Sequence, residues 1–314
     1  MSRWTGLAGS VLVLACAVVA AAPGSALGEQ IAAPQWAFPG PRTKSIPGSK
    51  VEYSTGQTFD RTAAVDWFPN EHPAMPAAVK GNHVPVFACG FCHLPEGVGR
   101  PENAALAGMP YEYLRQQVED MQSGARQAGD PHFGPGISMV VTVKQVSKAE
   151  AEEAVRYYSV LKFAKHTRIV ETATIPRASA DSFVYVFDKS GAREPLGERI
   201  IEGPDDFTRF EMRDPNVSYT AYVPVGATAR GAVLAKGDGG ARVGCETCHG
   251  PGLKGTAIGP PLAGRSPTST FRQLHAFKSG TRNGPGAAFM KPIVAGLSEK
   301  EMIDLATFVG SLEP

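Results

Sequence analysis

The sequence predicts a mainly helical (mainly α) protein in which two similar helical units stand in tandem around a small β-rich insert. Three observations lead there. One set of landmarks occurs twice in the same register, each copy closes on a helix-start signature, and the stretch between the copies alternates apolar and polar residues in short runs broken by Gly and Pro. With 314 residues, 43% of them hydrophobic, the chain is long enough for two modest domains with compact cores.

Residues 1–26 read as an export leader. Arg3 supplies the positive start, Leu7 to Ala22 is largely apolar and rich in small residues, and Ala20-Ala21-Ala22 and Gly24-Ser25-Ala26 offer small-residue cleavage sites. A periplasmic location is therefore expected. The alternative is membrane association through the N-terminus, by a retained leader or by a lipid on Cys16, although the apolar run is shorter than a usual span. Residues 27–70 are rich in Pro and Gly and lack a period, which predicts an arm. Trp36, Trp67 and Phe68 either pin that arm onto the first helical unit or pack as ordinary apolar side chains.

The first helical unit is expected over 71–164 and the second over 227–314. Aligned on His93 and His249, Leu106-Ala107-Gly108 and Leu262-Ala263-Gly264 each fall thirteen residues on. Ser123-Gly124-Ala125-Arg126 and Ser279-Gly280-Thr281-Arg282 each begin thirty residues on. A methionine follows in both, and eight residues past Met139 and Met290 stand Ser147 and Ser298. Each serine opens a capping box with Glu150 or Glu301, which satisfies free N–H groups at a helix start. The copies differ in length at one place, by five residues between the Arg and the Met. Between the units, residues 165–226 form the β-rich insert, with "SFVYVFD", "FTRFEMR" and "YTAYVPV" read as strands.

The cysteines carry the chemistry. Of five, Cys16 lies in the leader, and Cys89, Cys92, Cys245 and Cys248 fall in two Cys-x-x-Cys-His motifs, which leaves none for a structural disulfide. Residues three apart share a helix face, so the two thiols can form thioethers with both vinyl groups of one protohaem. The adjacent His is then carried beneath the iron. A thioredoxin-type pair would want a βαβ setting, and a zinc site would want further Cys or His at ligand spacing; neither follows these motifs. Two covalently bound haem c groups (iron) are expected, on Cys89, Cys92 and His93 and on Cys245, Cys248 and His249. Met139 and Met290, each expected on a loop just before a capped helix, are the candidate sixth ligands; a thioether opposite an imidazole raises the reduction potential. His132 is the rival in the first unit. Met109, Met121, Met212 and Met302 are expected to fill cores, and His72, His83, His166 and His275 to pack or lie at the surface. A carbonyl must hold the second nitrogen of each proximal His, and the alignment offers Pro260 and the equivalent Ala104.

Cys-x-x-Cys-His, Leu-Ala-Gly, a helix leading to Gly-x-Arg ("YLRQQVEDMQSGAR", "TFRQLHAFKSGTR"), a methionine and a closing amphipathic helix together resemble class I cytochromes c. In tandem they are similar to the dihaem cytochrome c4 family. The resemblance implies two tandem class I cytochrome c helical domains, each with a His/Met haem, and a non-catalytic electron carrier. Its partners would be redox proteins: a dehydrogenase, an oxidase or another cytochrome. Typical members have only a short linker where this chain has its insert. Two alternatives stand beside the carrier: a dihaem peroxidase, which would need an open iron position, and a cytochrome subunit fixed to a dehydrogenase or oxidase complex. A net charge of +1 without a basic run argues against nucleic acid as a partner.

Overall fold

The structure, a computed structural model, describes residues 43–81, 86–181, 183–238 and 243–314. The leader, Cys16, Trp36 and His83 lie outside the described residues. Among the described residues six helices precede the strands: α1 (Thr55–Phe59), α2 (Ala77–Lys80), α3 (Cys89–His93), α4 (Tyr111–Ser123), α5 (Gly134–Gln145) and α6 (Lys148–Val160). Helix α7 (Phe207–Glu211) lies among the strands. Then follow α8 (Ala227–Lys236), α9 (Glu246–His249), α10 (Pro267–Ser279), α11 (Ala287–Ala295) and α12 (Glu299–Ser311). Among the described residues no helix is long and apolar enough to cross a membrane.

The repeat is physical. Helices α4 and α10 each have 13 residues and occupy matching positions after His93 and His249. Both end at a glycine in the left-handed region, Gly124 at φ 85° and Gly280 at φ 77°, a conformation that side chains with a Cβ resist. Helices α6 and α12, again 13 residues each, start at Ser147 and Ser298 with complete capping boxes. The copies diverge at their first helix. Helix α8 crosses α12 so closely that a Cβ on Gly231 would lie 2.0 Å from the Asp304 carbonyl oxygen. Arg230 forks onto the Asp304 carboxylate, with both contacts at 2.8 Å. The counterpart in the first copy, α2, has only four residues and packs on α6 through Ala78 and Val79.

Seven strands lie between α6 and α8: β1 (Thr167–Glu171), β2 (Thr174–Pro176), β3 (Ala178–Asp181), β4 (Val184–Phe187), β5 (Arg193–Pro195), β6 (Ile201–Pro204) and β7 (Tyr219–Val223). In the order β1-β7-β6, β7 runs parallel to β1, with Thr167 opposite Tyr219, and antiparallel to β6. The pairs β2/β5 and β3/β4 are antiparallel. One strand expectation is overturned. "FTRFEMR" folds into α7, because Asp206 caps the turn by accepting the Arg209 N–H. Phe207 and Phe210, three apart, then stack on one face with ring centroids 5.7 Å apart.

This strand-bearing segment is wedged between the two copies. The buried Glu202 on β6 accepts from Thr167, from Ser266 and from the Thr268 N–H at the start of α10. On the other side the Trp67 indole, 1% exposed, donates to the Met212 carbonyl oxygen at 2.7 Å. It packs with Ile46, Val65 and Met212, and Phe68 lies against this cluster. Trp67 therefore fastens the N-terminal stretch to the segment just past α7.

Candidate haem-binding site

A single cavity of about 1,300 Å³ is lined by Cys89, Cys92, His93 and Met139 of the first copy and by Cys245, Cys248, His249 and Met290 of the second. In the first copy α3 carries both thiols and the imidazole; in the second Cys245 caps α9 and the other two lie within it. None of the four thiols is in a disulfide. Burial above all pushes the Cys89 thiol up to about 12 and raises Cys92 and Cys245 too. A redox Cys-x-x-Cys works through a stabilised thiolate, and these surroundings disfavour one.

The His93 Nδ1 lies 2.7 Å from the Ala104 carbonyl oxygen, and the His249 Nδ1 lies 2.8 Å from that of Pro260. Carbonyls only accept, so each Nδ1 carries the proton and each Nε2 keeps its lone pair. Burial holds both imidazoles below their ordinary pKa, hence neutral. A neutral imidazole oriented through its far nitrogen is the form that ligates a metal.

Met139 lies within α5 and Met290 within α11, so the expectation that they sit on loops is corrected. Helix α5 starts at Gly134-Pro135, where a missing N–H costs nothing, and this carries the helix back past Met139. Of the five extra residues of the first copy, two lie in the first turn of α5 before Met139 and three fall ahead of the helix. There Phe133 packs under the Arg272 guanidinium (4.6 Å) and edge-on to Phe183 (6.2 Å). His132, the rival ligand, is exposed, bonds to Asp130 and does not line the cavity.

Polar residues join the two copies across the cavity. Residues 125–127 and 281–283 pair as a short antiparallel bridge: Gln127 N donates to Thr281 O and Asn283 N to Ala125 O. Arg126 donates to Gln117 and Gln273 (both 2.9 Å), and Arg282 donates to the same two glutamines at 2.8 and 3.1 Å. Arg282 also reaches the Tyr113 hydroxyl at 2.8 Å. Gln117 and Gln273 occupy matching positions in the repeat, as do Arg126 and Arg282, so the network has an approximate two-fold axis. Arg265 donates to the carbonyls of Ala105 and Ala107 and leaves its Nε without a partner. Burial lowers Arg126 to about 9 and Arg265 to about 10. Neither of them, nor Arg282, forms an ion pair among the described residues. Three cavity-lining guanidiniums without a carboxylate are suited to an anionic ligand.

Access differs between the copies. Thr256, Ala257 and Ile258 are exposed beside the second motif, Ile258 at 76%, and so is Phe289 at 78%. Arg100, Pro101 and Glu102 hold the matching positions in the first copy and are buried. The Arg100 guanidinium lies 3.6 Å over the Phe210 ring of α7. Arg213 donates to the Phe91 carbonyl oxygen at 3.0 Å and covers the Phe91 ring inside the first motif. The strand-bearing segment thus closes over the first motif and leaves the second open.

The cytochrome c family profile matches residues 229–313. A curated relative from Stutzerimonas stutzeri, named thiosulfate dehydrogenase electron acceptor, is 41% identical over 236 residues, covering 74% of this chain and 82% of the relative. The chain belongs to the cytochrome c family. A Thiomonas intermedia protein of the same printed name is 24% identical over 76% of this chain and 84% of its own. Cytochrome c-554(548) of Halomonas halodenitrificans is 39% identical over 22% of this chain and 84% of its own. Among solved structures, thiosulfate dehydrogenase TsdBA of Marichromatium purpuratum aligns with a TM-score of 0.49 at 24% identity, over 73% of this chain and 37% of that one. Reduced cytochrome c4 of Pseudomonas stutzeri aligns at 0.45 and 22%, over 72% of this chain and 93% of that one.

Membership implies covalently bound haem c. The residues of this cytochrome fit that group: thiols three apart, a neutral imidazole beside them, thioether sulfur in the same cavity, and guanidiniums suited to haem propionates.

Proposed function

We propose that this cytochrome is a periplasmic dihaem electron carrier, a non-enzyme, in which each copy of the repeat is one haem domain and residues 165–226 are an insert. In this reading Cys89 and Cys92 anchor the first haem with His93 and Met139 as axial ligands, and Cys245 and Cys248 anchor the second with His249 and Met290. Haem iron, when bound, supplies the one-electron couple. The polypeptide fixes its ligands, keeps water out and sets its charge surroundings. Ala104 and Pro260 hold the two imidazoles through their Nδ1 protons. The Arg126, Arg282, Gln117 and Gln273 network holds the copies together, and its guanidiniums would offer donors to haem propionates.

The observation that carries the reading is that both Cys-x-x-Cys-His motifs and both methionines line one continuous cavity. Two haems held in this one cavity would share its surroundings, so that an electron taken up at one could leave from the other. A methionine in the cavity for each motif also disfavours the peroxidase alternative, which needs an open iron position. The relatives named as electron acceptors of thiosulfate dehydrogenase support a sulfur-oxidising dehydrogenase as the donor.

Rapid mixing of the oxidised protein with a thiosulfate dehydrogenase and thiosulfate tests this. The expected result is reduction of two low-spin, Met-ligated haems and no turnover of hydrogen peroxide. A high-spin haem with peroxide turnover would contradict it.

A further inference from the structure

Away from the cavity, Asp66, His72 and Glu96 each bring one ligand atom within 4.8 Å of the others. The His72 side chain is 3% exposed. Its Nδ1 faces two oxygens, the Pro73 carbonyl at 2.9 Å and the Tyr157 hydroxyl at 3.0 Å. The Tyr157 hydroxyl has one proton and donates it to the Pro95 carbonyl oxygen at 2.7 Å. Neither oxygen can supply a proton to Nδ1, so Nδ1 carries its own. In a neutral ring the Nε2 lone pair would then face Asp66 Oδ1 at 3.2 Å, and a carboxylate oxygen also only accepts. Two acceptors so placed need either a proton or a metal cation between them. Glu96 adds to the demand: both its oxygens are buried and accept no hydrogen bond from another residue.

We propose that Asp66, His72 and Glu96 form a binding site for a divalent transition-metal cation of the zinc class, with imidazole Nε2 and the two carboxylates as its protein ligands. One nitrogen and two oxygens suit zinc, with a water in the fourth position. A separation of 3.2 Å is the edge of a tetrahedron whose centre lies about 2.0 Å from each donor, the usual zinc distance. The Pro73 carbonyl on the far nitrogen is the kind of partner that orients a ligating histidine. A proton on Nε2 would satisfy Asp66 and still leave Glu96 without a partner, whereas a divalent ion satisfies all three. The haem reading uses none of these residues.

The test uses the haem-loaded protein, stripped with a chelator and dialysed against zinc, with zinc and iron counted by elemental analysis and affinity measured by calorimetry. One zinc per chain is expected. His72→Gln and Glu96→Gln should each weaken binding at least tenfold with the haem absorption unchanged, and His132→Gln, at an exposed histidine, should leave binding intact. If His72→Gln loses its haem spectrum, Asp66→Asn and Glu96→Gln decide. Binding that survives undiminished in the variants, or no zinc retained by the parent protein, overturns the proposal.

Discussion

Met290 sits part-buried on α11 against the buried cluster that includes Val294 and Leu297, and replacing it separates a ligand from a packing residue. Met290→Ala is expected to remove the weak sulfur-to-iron absorption band from one haem only and to lower that haem's potential; Met139→Ala should do the same to the other. Optical redox titration of each variant reads both effects, and an unchanged spectrum would mean the sulfur is only filler. At this scale much of the site was legible. The cysteines, the histidines and the carbonyls that hold them follow from a specific motif and a constant offset. The bridging glutamines were not found, although Gln117 and Gln273 keep the offset of His93 and His249. A glutamine in register attracts no notice until the fold sets it between two guanidiniums. His72 carries no sequence signal at all, because its neighbours Asp66 and Glu96 come together only in three dimensions.

Helices were legible where their ends are chemically marked. The capping boxes at Ser147 and Ser298 and the glycines after α4 and α10 are local signals, and they hold. The short α7 escaped, because an alternating run of five residues reads equally well as a strand until Asp206 is seen to cap it. Two predictions belong to the elements. Gly231→Ala puts a methyl group into the α8–α12 crossing and should destabilise the protein by about 1–3 kcal/mol or more in denaturant unfolding. Gly296→Ala, which meets open space at negative φ, should stay near neutral. Glu171 accepts the N–H groups of Gly226 and Thr228 at the start of α8, at 2.7 and 2.9 Å. Burial alone would raise its carboxyl, but the bonds from Thr228 and Gly226 outweigh it and hold the pKa below the usual 4.5. Its stabilisation is therefore present above pH 4.5 and lost as pH falls through the lowered value. Glu171→Gln should cost about 0.5–1 kcal/mol at pH 7, and the two proteins should converge in stability in more acid solution.

Across the whole molecule, a tandem repeat has been made asymmetric by what lies between its copies. The family profile finds only the second copy. The first has a four-residue opening helix and a longer approach to its methionine, departures large enough to blur a profile while leaving motif and spacing readable. The role of the strands was not legible, since alternation predicts strands but not what they cover. The cover over the first motif comes from α7 and the turn after it, through Phe210 on Arg100 and Arg213 on Phe91, while Ile258 and Phe289 stay exposed beside the second. Electron exchange with a protein partner is accordingly expected at the second motif. Ile258→Asp combined with Phe289→Asp should slow reduction by that partner several-fold in rapid mixing and leave reduction by dithionite unchanged. All of this rests on covalent haem at both motifs. Intact mass of the matured protein under denaturing conditions tests it most directly: the account predicts one chain carrying two covalently attached haems, and a chain carrying one or none would contradict it.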